Sequence, residues 1–332
     1  MAAALDPSSG VSAAAPGQEL PSVSVVVPVY QSEGSLPLLV ERLAAVLPQV
    51  ARKFEVVLVN DGSRDRSWEV VCRLAAAYPW VRGLDLMRNY GQHNALLSGI
   101  RAARYDVIVT LDDDLQNPPE EIPTLLDRLG EGFDVVYGAP QREQHGLLRD
   151  LASKITKLAL QNAMGAETAR SVSAYRAFRS DLRNAFVNYQ SSFVSIDVLL
   201  TWGGSRFTAV TVRHEPRKIG RSNYSVSKLI LHALNMVTGF SVVPLQIASI
   251  TGFGFTLFGM LVLAYVLGRY LIEGGSVPGF PFLASLIAIF SGAQLFALGV
   301  IGEYIARIHF RMMERPSYAV RSETSRPGTG AP

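Results

Sequence analysis

Three consecutive carboxylates, Asp112, Asp113 and Asp114, directly follow the apolar run 107–111. A short apolar run of this kind reads as a buried strand, so the acidic residues stand where that strand emerges at its carboxyl end. In open α/β sheets this edge is where ligands bind. Asp112 and Asp114, separated by one residue, can hold a divalent cation through hard oxygen ligands, and the oxygens of a diphosphate would complete its shell. A second acidic residue, Asp61, follows the run 54–59 within Asn60, Asp61, Gly62 and Ser63. Asp, Gly and Ser favour turns. Two acidic strand ends in one α/β unit nevertheless point to a shared crevice, with Asp61 accepting a hydrogen bond from a base or ribose.

The elements that must position these residues alternate from Ser22 to about Phe207. Short β-branched runs at 23–27, 54–59, 107–111 and 134–136 are separated by helix-like stretches. Strands alternating with helices imply a mostly parallel sheet with covered faces. The stretch 36–50 places Leu36, Leu39, Val40, Leu43 and Leu47 on one stripe, as a helix lying on a sheet would.

The 332 residues accommodate one α/β domain of about 200 to 230 residues plus a smaller unit. Hydrophobic residues make up 48% of the chain, and the excess is local. No Asp, Glu, Lys or Arg occurs between Lys228 and Arg269, or between Glu273 and Glu303. Each gap exceeds the ~20 residues that cross a hydrocarbon core, which predicts transmembrane helices at about 247–267 and 282–302 joined by a turn containing Gly274, Gly275, Pro278 and Gly279. Arg217, Lys218, Arg221 and Lys228 precede the first span, and Arg307, Arg311 and Arg315 follow the second, whereas the turn offers only Arg269. By the positive-inside rule the globular domain and both termini are cytoplasmic, in a multi-pass protein of the inner (plasma) membrane. The apolar positions of 226–242 repeat at helical spacing, so this juxtamembrane stretch either lies flat on the bilayer or packs on the domain.

The resulting organisation is a disordered leader (1–21), a catalytic domain (22–225), a juxtamembrane amphipathic helix (226–243), the helix pair (244–307) and a C-terminal arm and tail (308–332). The leader lacks the basic start and apolar stretch of a signal peptide. Net charge is a mild +3, and the single Cys72 forms no intrachain disulfide. There is no P-loop, no paired-cysteine zinc spacing and no Gln-x-x-Arg-Trp signature, and the five His are scattered. Dinucleotide-dependent redox chemistry, nucleic-acid binding and polysaccharide extrusion are therefore not expected.

The motifs SVVVPVY (24–30), NDGSRDRS (60–67), RNYGQHNAL (88–96), LDDDLQNPPEEI (111–122), GEYIARI (302–308) and ERPSY (314–318) resemble the family-2, GT-A-fold glycosyltransferases. The likeness is strongest to the polyprenyl-phosphate branch, which includes dolichol-phosphate mannose synthases and undecaprenyl-phosphate sugar transferases. It covers about 22–320, and LDDDLQNPPE is its most specific part. The resemblance implies inverting transfer of a sugar from a nucleotide-diphosphate donor to a polyprenyl phosphate, with Mg²⁺ or Mn²⁺ as cofactor and assembly as a homotetramer. It assigns Pro28, Tyr30, Asp61, Arg88, Asp112 and Asp113 to the nucleotide, and Asp112, Asp114 and Gln116 to the metal. Arg149 and Ser153 would bind the acceptor phosphate, aided by Arg176, Arg217, Ser222 and Tyr224, with Gly220 in the same closing stretch. Asp112, Asp114, Arg149, Ser153 and Arg176 are thus the catalytic set. The closing GEYIARI and ERPSY stretches look more like transferases that use UDP-sugars than like mannose synthases using GDP-mannose.

The chain also departs from the family pattern. No Asp precedes Arg176, where the sequence reads Ser171, Val172, Ser173, Ala174, Tyr175; Asn223 replaces a Lys, and Pro140 an Arg with Arg142 nearby. Arg176 lies in an apolar-leaning run where an unpaired charge would be costly to bury. A missing base is tolerable, because a phosphate monoester with a second pKa of about 6 is already largely dianionic at neutral pH. The missing carboxylate leaves a non-catalytic membrane scaffold as the alternative reading.

Overall fold

Apolar residues alternate between the two faces of the central strands, and this alternation builds the domain. Val23, Val25, Val27 and Val29 point into one core and Val26 into the other; Val56 and Leu58 oppose Val57 and Val59, and Val109 opposes Ile108. A strand that is apolar on both faces must be covered on both. The computed structural model describes residues 19–140, 171–191, 194–215, 243–273, 279–313 and 315–324. Its strands are β1 (Ser22–Val29), β2 (Lys53–Asn60), β3 (Val81–Leu86), β4 (Val107–Thr110), β5 (Val135–Pro140), β6 (Arg176–Arg179), β7 (Phe207–Val212) and β8 (Val320–Glu323). The helices are α1 (Leu36–Val50), α2 (Ser67–Ala77), α3 (Gln92–Ala102), α4 (Ile122–Gly130), α5 (Ile196–Leu200), α6 (Val243–Glu273) and α7 (Phe280–Met312).

The strands form one sheet in the order β7-β5-β6-β4-β1-β2-β3-β8. Among these strands only β6 and β8 run against their neighbours, so the expected mostly parallel sheet is present. The stripe expected on 36–50 is buried as α1, with Leu36, Leu39, Val40, Leu43 and Leu47 all facing the core. α1, α2 and α4 cover one face, while α3 and α5 cover the other. The chain passes from β1 to β2 on one side and returns to β4 on the other. This topological switch point opens a crevice at the carboxyl ends of the strands. Val26 is the last residue of β1 in register with β4, whereas pairing with β2 continues to Val29.

α6 and α7 contain candidate membrane spans at Leu245–Ile272 and Ile289–His309, and neither span is buried inside the fold. The two helices touch through Phe255 and Phe290, whose ring centroids lie 5.8 Å apart. They are the apolar helix pair of a membrane protein, and both extend beyond the expected 247–267 and 282–302. Beyond α7 the chain returns to the sheet, where β8 pairs antiparallel with β3. The leader to residue 18, the 226–242 stretch and the turn at Gly274, Gly275 and Pro278 lie outside the described residues.

Candidate active site

Four parallel strands lead within one or two residues of their ends to one rim: β1 to Tyr30, β2 to Asp61, β3 to Arg88 and β4 to the acidic run at 112–114. Tyr30 is 38% exposed, while Pro28 is buried within β1 two residues earlier. The Tyr30 backbone N–H donates to Asp113 Oδ2 at 3.0 Å, and the Ser32 hydroxyl donates to the same oxygen. Asp113 therefore ties the loop after β1 to the loop after β4. Burial pushes its carboxyl pKa up to about 6, assisted by the neighbouring charge of Asp114 and opposed by the Ser32 and Tyr30 hydrogen bonds.

Asp61 performs a similar task one strand over. Its two carboxylate oxygens accept the backbone N–H groups of Tyr90 at 2.7 Å and Gly91 at 2.8 Å. Burial raises its pKa, and these two bonds work against the rise. Each oxygen keeps a second lone pair for a ligand. Gly62 follows with φ +62°, and a Cβ there would sit 2.5 Å from the Arg88 carbonyl carbon and from the Asn89 nitrogen. The 60–63 turn and the 87–91 loop are thus packed backbone to backbone, a closeness only glycine permits. The Arg88 guanidinium lies 4.7 Å from the centroid of the Tyr90 ring.

The three residues expected to hold a cation, Asp112, Asp114 and Gln116, share the loop after β4. Gln92 Nε2 at the start of α3 donates to Asp112 Oδ1 at 2.7 Å, and Asp114 Oδ1 accepts the Gln116 N–H at 3.1 Å. Leu115 between them has φ +62° with its side chain buried, a left-handed backbone costly for a non-glycine residue. That turn carries Asp114 and Gln116 on one short loop. Among the described residues no group of three or more His, Cys, Asp or Glu could hold a metal ion by itself. Two carboxylates and an amide fit a hard cation whose remaining ligands come from a diphosphate.

The segment after β7 closes one side of this loop. The Glu215 N–H donates to the Gln116 carbonyl at 2.8 Å, and His214 Nε2 lies 3.4 Å from Gln116 Nε2. Glu215 also shares Arg42 with Glu120, at 3.0 Å and 2.6 Å. From Glu215 the sequence enters the basic stretch beginning Pro216, Arg217, Lys218.

Residues 24–189 match glycosyl transferase family 2. The chain belongs to that family. Its mostly parallel sheet and acidic rim agree with the GT-A fold expected from the motifs. Among curated relatives it is 37% identical over 311 residues to an undecaprenyl-phosphate 4-deoxy-4-formamido-L-arabinose transferase of Pectobacterium carotovorum subsp. carotovorum (strain PC1), covering 92% of this chain and 95% of that protein. It is 38% identical over 309 residues to the transferase of the same name from Shewanella sediminis (strain HAW-EB3), covering 92% and 93%. A more distant likeness is a crystal structure of glucosyl-3-phosphoglycerate synthase from Mycobacterium tuberculosis with Mn²⁺, UDP-glucose and phosphoglyceric acid. It is 16% identical with a TM-score of 0.47, over 66% of this chain and 78% of that one.

Arg176 sits on β6, opposite Thr110 and Tyr137, and is only 1% exposed. The charge has a partner that sequence reading missed: Arg176 Nη1 forms a buried ion pair with Asp197 in the first turn of α5. Nε donates to Thr110 Oγ1 at 3.1 Å, two residues before Asp112, and the Tyr137 hydroxyl donates to Asp197 Oδ1 at 3.2 Å. Burial raises the Tyr137 pKa far above its usual value, keeping the hydroxyl a donor. Gln92, His93, His214 and Asp197 all escaped assignment. Gln92 and His93 lie within RNYGQHNAL, and the His93 ring accepts the Ile196 N–H at 3.3 Å beside Asp197. Arg149, Ser153, Arg217, Gly220, Ser222 and Tyr224 lie outside the described residues.

Proposed function

We propose that this chain is a membrane-anchored enzyme that transfers a sugar from a UDP-sugar to a polyprenyl phosphate of the undecaprenyl or decaprenyl type, inverting the anomeric centre and giving a lipid-linked monosaccharide for cell-envelope glycans. One observation carries the reading. A carboxylate rim at the β1/β4 switch point occurs in the same chain as two apolar helices left unburied by the fold. The names of the relatives, which span nearly its whole length, support a polyprenyl-phosphate acceptor and a modified pentose as the sugar.

In this reading Tyr30, Asp61 and Arg88 bind the nucleotide, with Pro28 shaping the rim beneath Tyr30 and Asp113 locking the two loops together. Asp112, Asp114 and Gln116 hold Mg²⁺ or Mn²⁺, which when bound neutralises charge on the departing diphosphate. The acceptor phosphate arrives as a dianion, so the protein's task is alignment rather than proton removal. Arg149, Ser153, Arg217, Ser222 and Tyr224 would hold that phosphate, with Arg217 only two residues past the anchored Glu215. Arg176 would act from beneath, fixing the end of β4 through Thr110. The carboxylate absent before Arg176 is not required by a dianionic acceptor, so its absence does not favour a scaffold, and Asp197 meets the charge of Arg176 from α5. The two helices would cross the bilayer with the domain and both termini cytoplasmic, as the flanking arginines favour. Four copies would assemble, as the family resemblance implies.

The test is a donor and acceptor panel. Full-length protein with Mn²⁺ is given labelled UDP- and GDP-sugars against undecaprenyl phosphate, undecaprenol and a water-soluble phosphate ester. Label should enter the organic phase from a UDP-sugar with undecaprenyl phosphate alone. Transfer to the soluble ester or to no acceptor would overturn the proposal.

A further inference from the structure

The arm that follows α7 reaches the loop that carries Arg88, and Arg321 makes its side-chain contacts there. All four residues of β8 are exposed, so apolar burial does not hold this strand. Its register on β3 pairs Leu86 with Val320 and Asp85 with Ser322, leaving Arg321 as the extra residue of a bulge. A bulge re-aims a side chain. Here Arg321 Nη2 donates to the Met87 carbonyl at 2.7 Å, and Nη1 lies 3.4 Å from Asp85 Oδ2. The Met87 N–H donates to the Ala319 carbonyl at 2.9 Å. Both backbone groups of Met87, the residue before Arg88, are therefore held by the arm.

A second route leads from Arg321 to the same rim. Asp85 Oδ1 accepts Asn60 Nδ2 at 2.7 Å, and Asn60 immediately precedes Asp61. The arm is anchored independently, by the Ser191 N–H on Ser317 Oγ at 3.1 Å and by Tyr318 against the core. At the opposite end of β8, Glu323 pairs with Arg82 at 2.7 Å, and Arg82 in turn pairs with buried Glu55. Among the described residues, the Arg321 end reaches the loop that carries Arg88 directly, and the Asp61 turn through Asp85 and Asn60.

We propose that Arg321 is a positioning residue for nucleotide binding, fixing the 87–91 loop through Met87 and the Asp61 turn through Asp85 and Asn60. The inference rests on the proposed nucleotide role of Asp61 and Arg88. It makes the donor site incomplete without the segment that returns from the membrane helices.

The test compares full-length wild type with Arg321→Ala, Arg321→Lys and Glu323→Ala by amide hydrogen exchange, steady-state kinetics and melting. Arg321→Ala should speed exchange of the 87–91 amides and raise the KM for the nucleotide-sugar about three- to fivefold, the scale of losing a solvent-exposed charged contact. Its kcat and its KM for polyprenyl phosphate should stay near wild type, Arg321→Lys should recover part of the loss, and Glu323→Ala should leave donor KM unchanged. Unaltered exchange at 87–91, unaltered donor KM, or an equal rise in donor KM with Glu323→Ala would each overturn the proposal. Should Arg321→Ala fail to fold, Arg321→Lys must itself raise donor KM and speed 87–91 exchange relative to wild type and Glu323→Ala, or the proposal fails. A wild type that transfers sugar from no donor would instead overturn the functional reading, and the exchange data would still decide whether Arg321 holds the loop.

Discussion

Arg176 and Asp197, 21 residues apart in sequence, form an ion pair buried between β6 and the first turn of α5. The pair joins the end of β4, through Thr110, to a helix of the opposite layer. Removing one member of such a pair strands a charge in a low-dielectric interior, a heavier cost than the pair's own net contribution.

Asp197→Ala should therefore destabilise the domain by about 3 to 5 kcal/mol. Adding Arg176→Met should recover much of that loss, since the uncompensated charge goes with it. Chemical denaturation of the detergent-solubilised variants measures both. Equal stability of Asp197→Ala and wild type would show that the pair is not buried as described.

Asp114→Asn should leave melting unchanged and reduce sugar transfer by about a hundredfold or more, the scale expected when a cation loses a charged ligand at the leaving group. Initial rates across a Mn²⁺ titration check this. Wild-type rates at every metal concentration would remove Asp114 from the ligand set.

Gly62→Ala should cost about 1 to 3 kcal/mol, because the backbone there is left-handed and the new methyl meets Arg88 and Asn89 backbone atoms at 2.5 Å. The strain falls on the loop carrying Arg88, so donor KM should rise with the loss of stability. Thermal melts and donor titrations would contradict the packing if both stayed at wild-type values.

Phe258 is 51% exposed midway along α6. Phe258→Arg should impair membrane insertion, at about 2.5 to 3.5 kcal/mol for a mid-span arginine. Carbonate extraction of membranes reads this directly, and an unchanged pellet fraction would contradict a spanning α6.

The legible parts of the chain are those where burial repeats with a fixed period. The valine-rich strands 22–29 and 53–60 and the stripe on α1 announce themselves, and with them the strand ends that carry Asp61 and Asp112 to one rim. β3 is harder to read because Arg82 and Asp85 interrupt it; both are buried, and their charges are met by Glu55, Glu323 and Arg321 from elsewhere in the chain. β8 is illegible for the opposite reason, since Val320 to Glu323 bury no apolar face and pair by backbone and side-chain charge alone. Asp197 as the partner of Arg176 could not be found by spacing, because antiparallel β6 and the return through α5 bring the two together only in three dimensions. The tie between Gln92 and Asp112 was within reach, as both lie in the quoted motifs, but an amide at a helix start carries no signal of its target.

In the proposed reaction the rim carboxylates act with a metal to move sugar onto a lipid phosphate. The most direct measurement is organic-phase label from a UDP-sugar and undecaprenyl phosphate, taken with wild type and Asp112→Asn/Asp114→Asn protein, after EDTA treatment and after Mn²⁺ is restored. Label should appear only for wild type with Mn²⁺ present. Equal labelling by the double variant, or by EDTA-treated wild type, would contradict it.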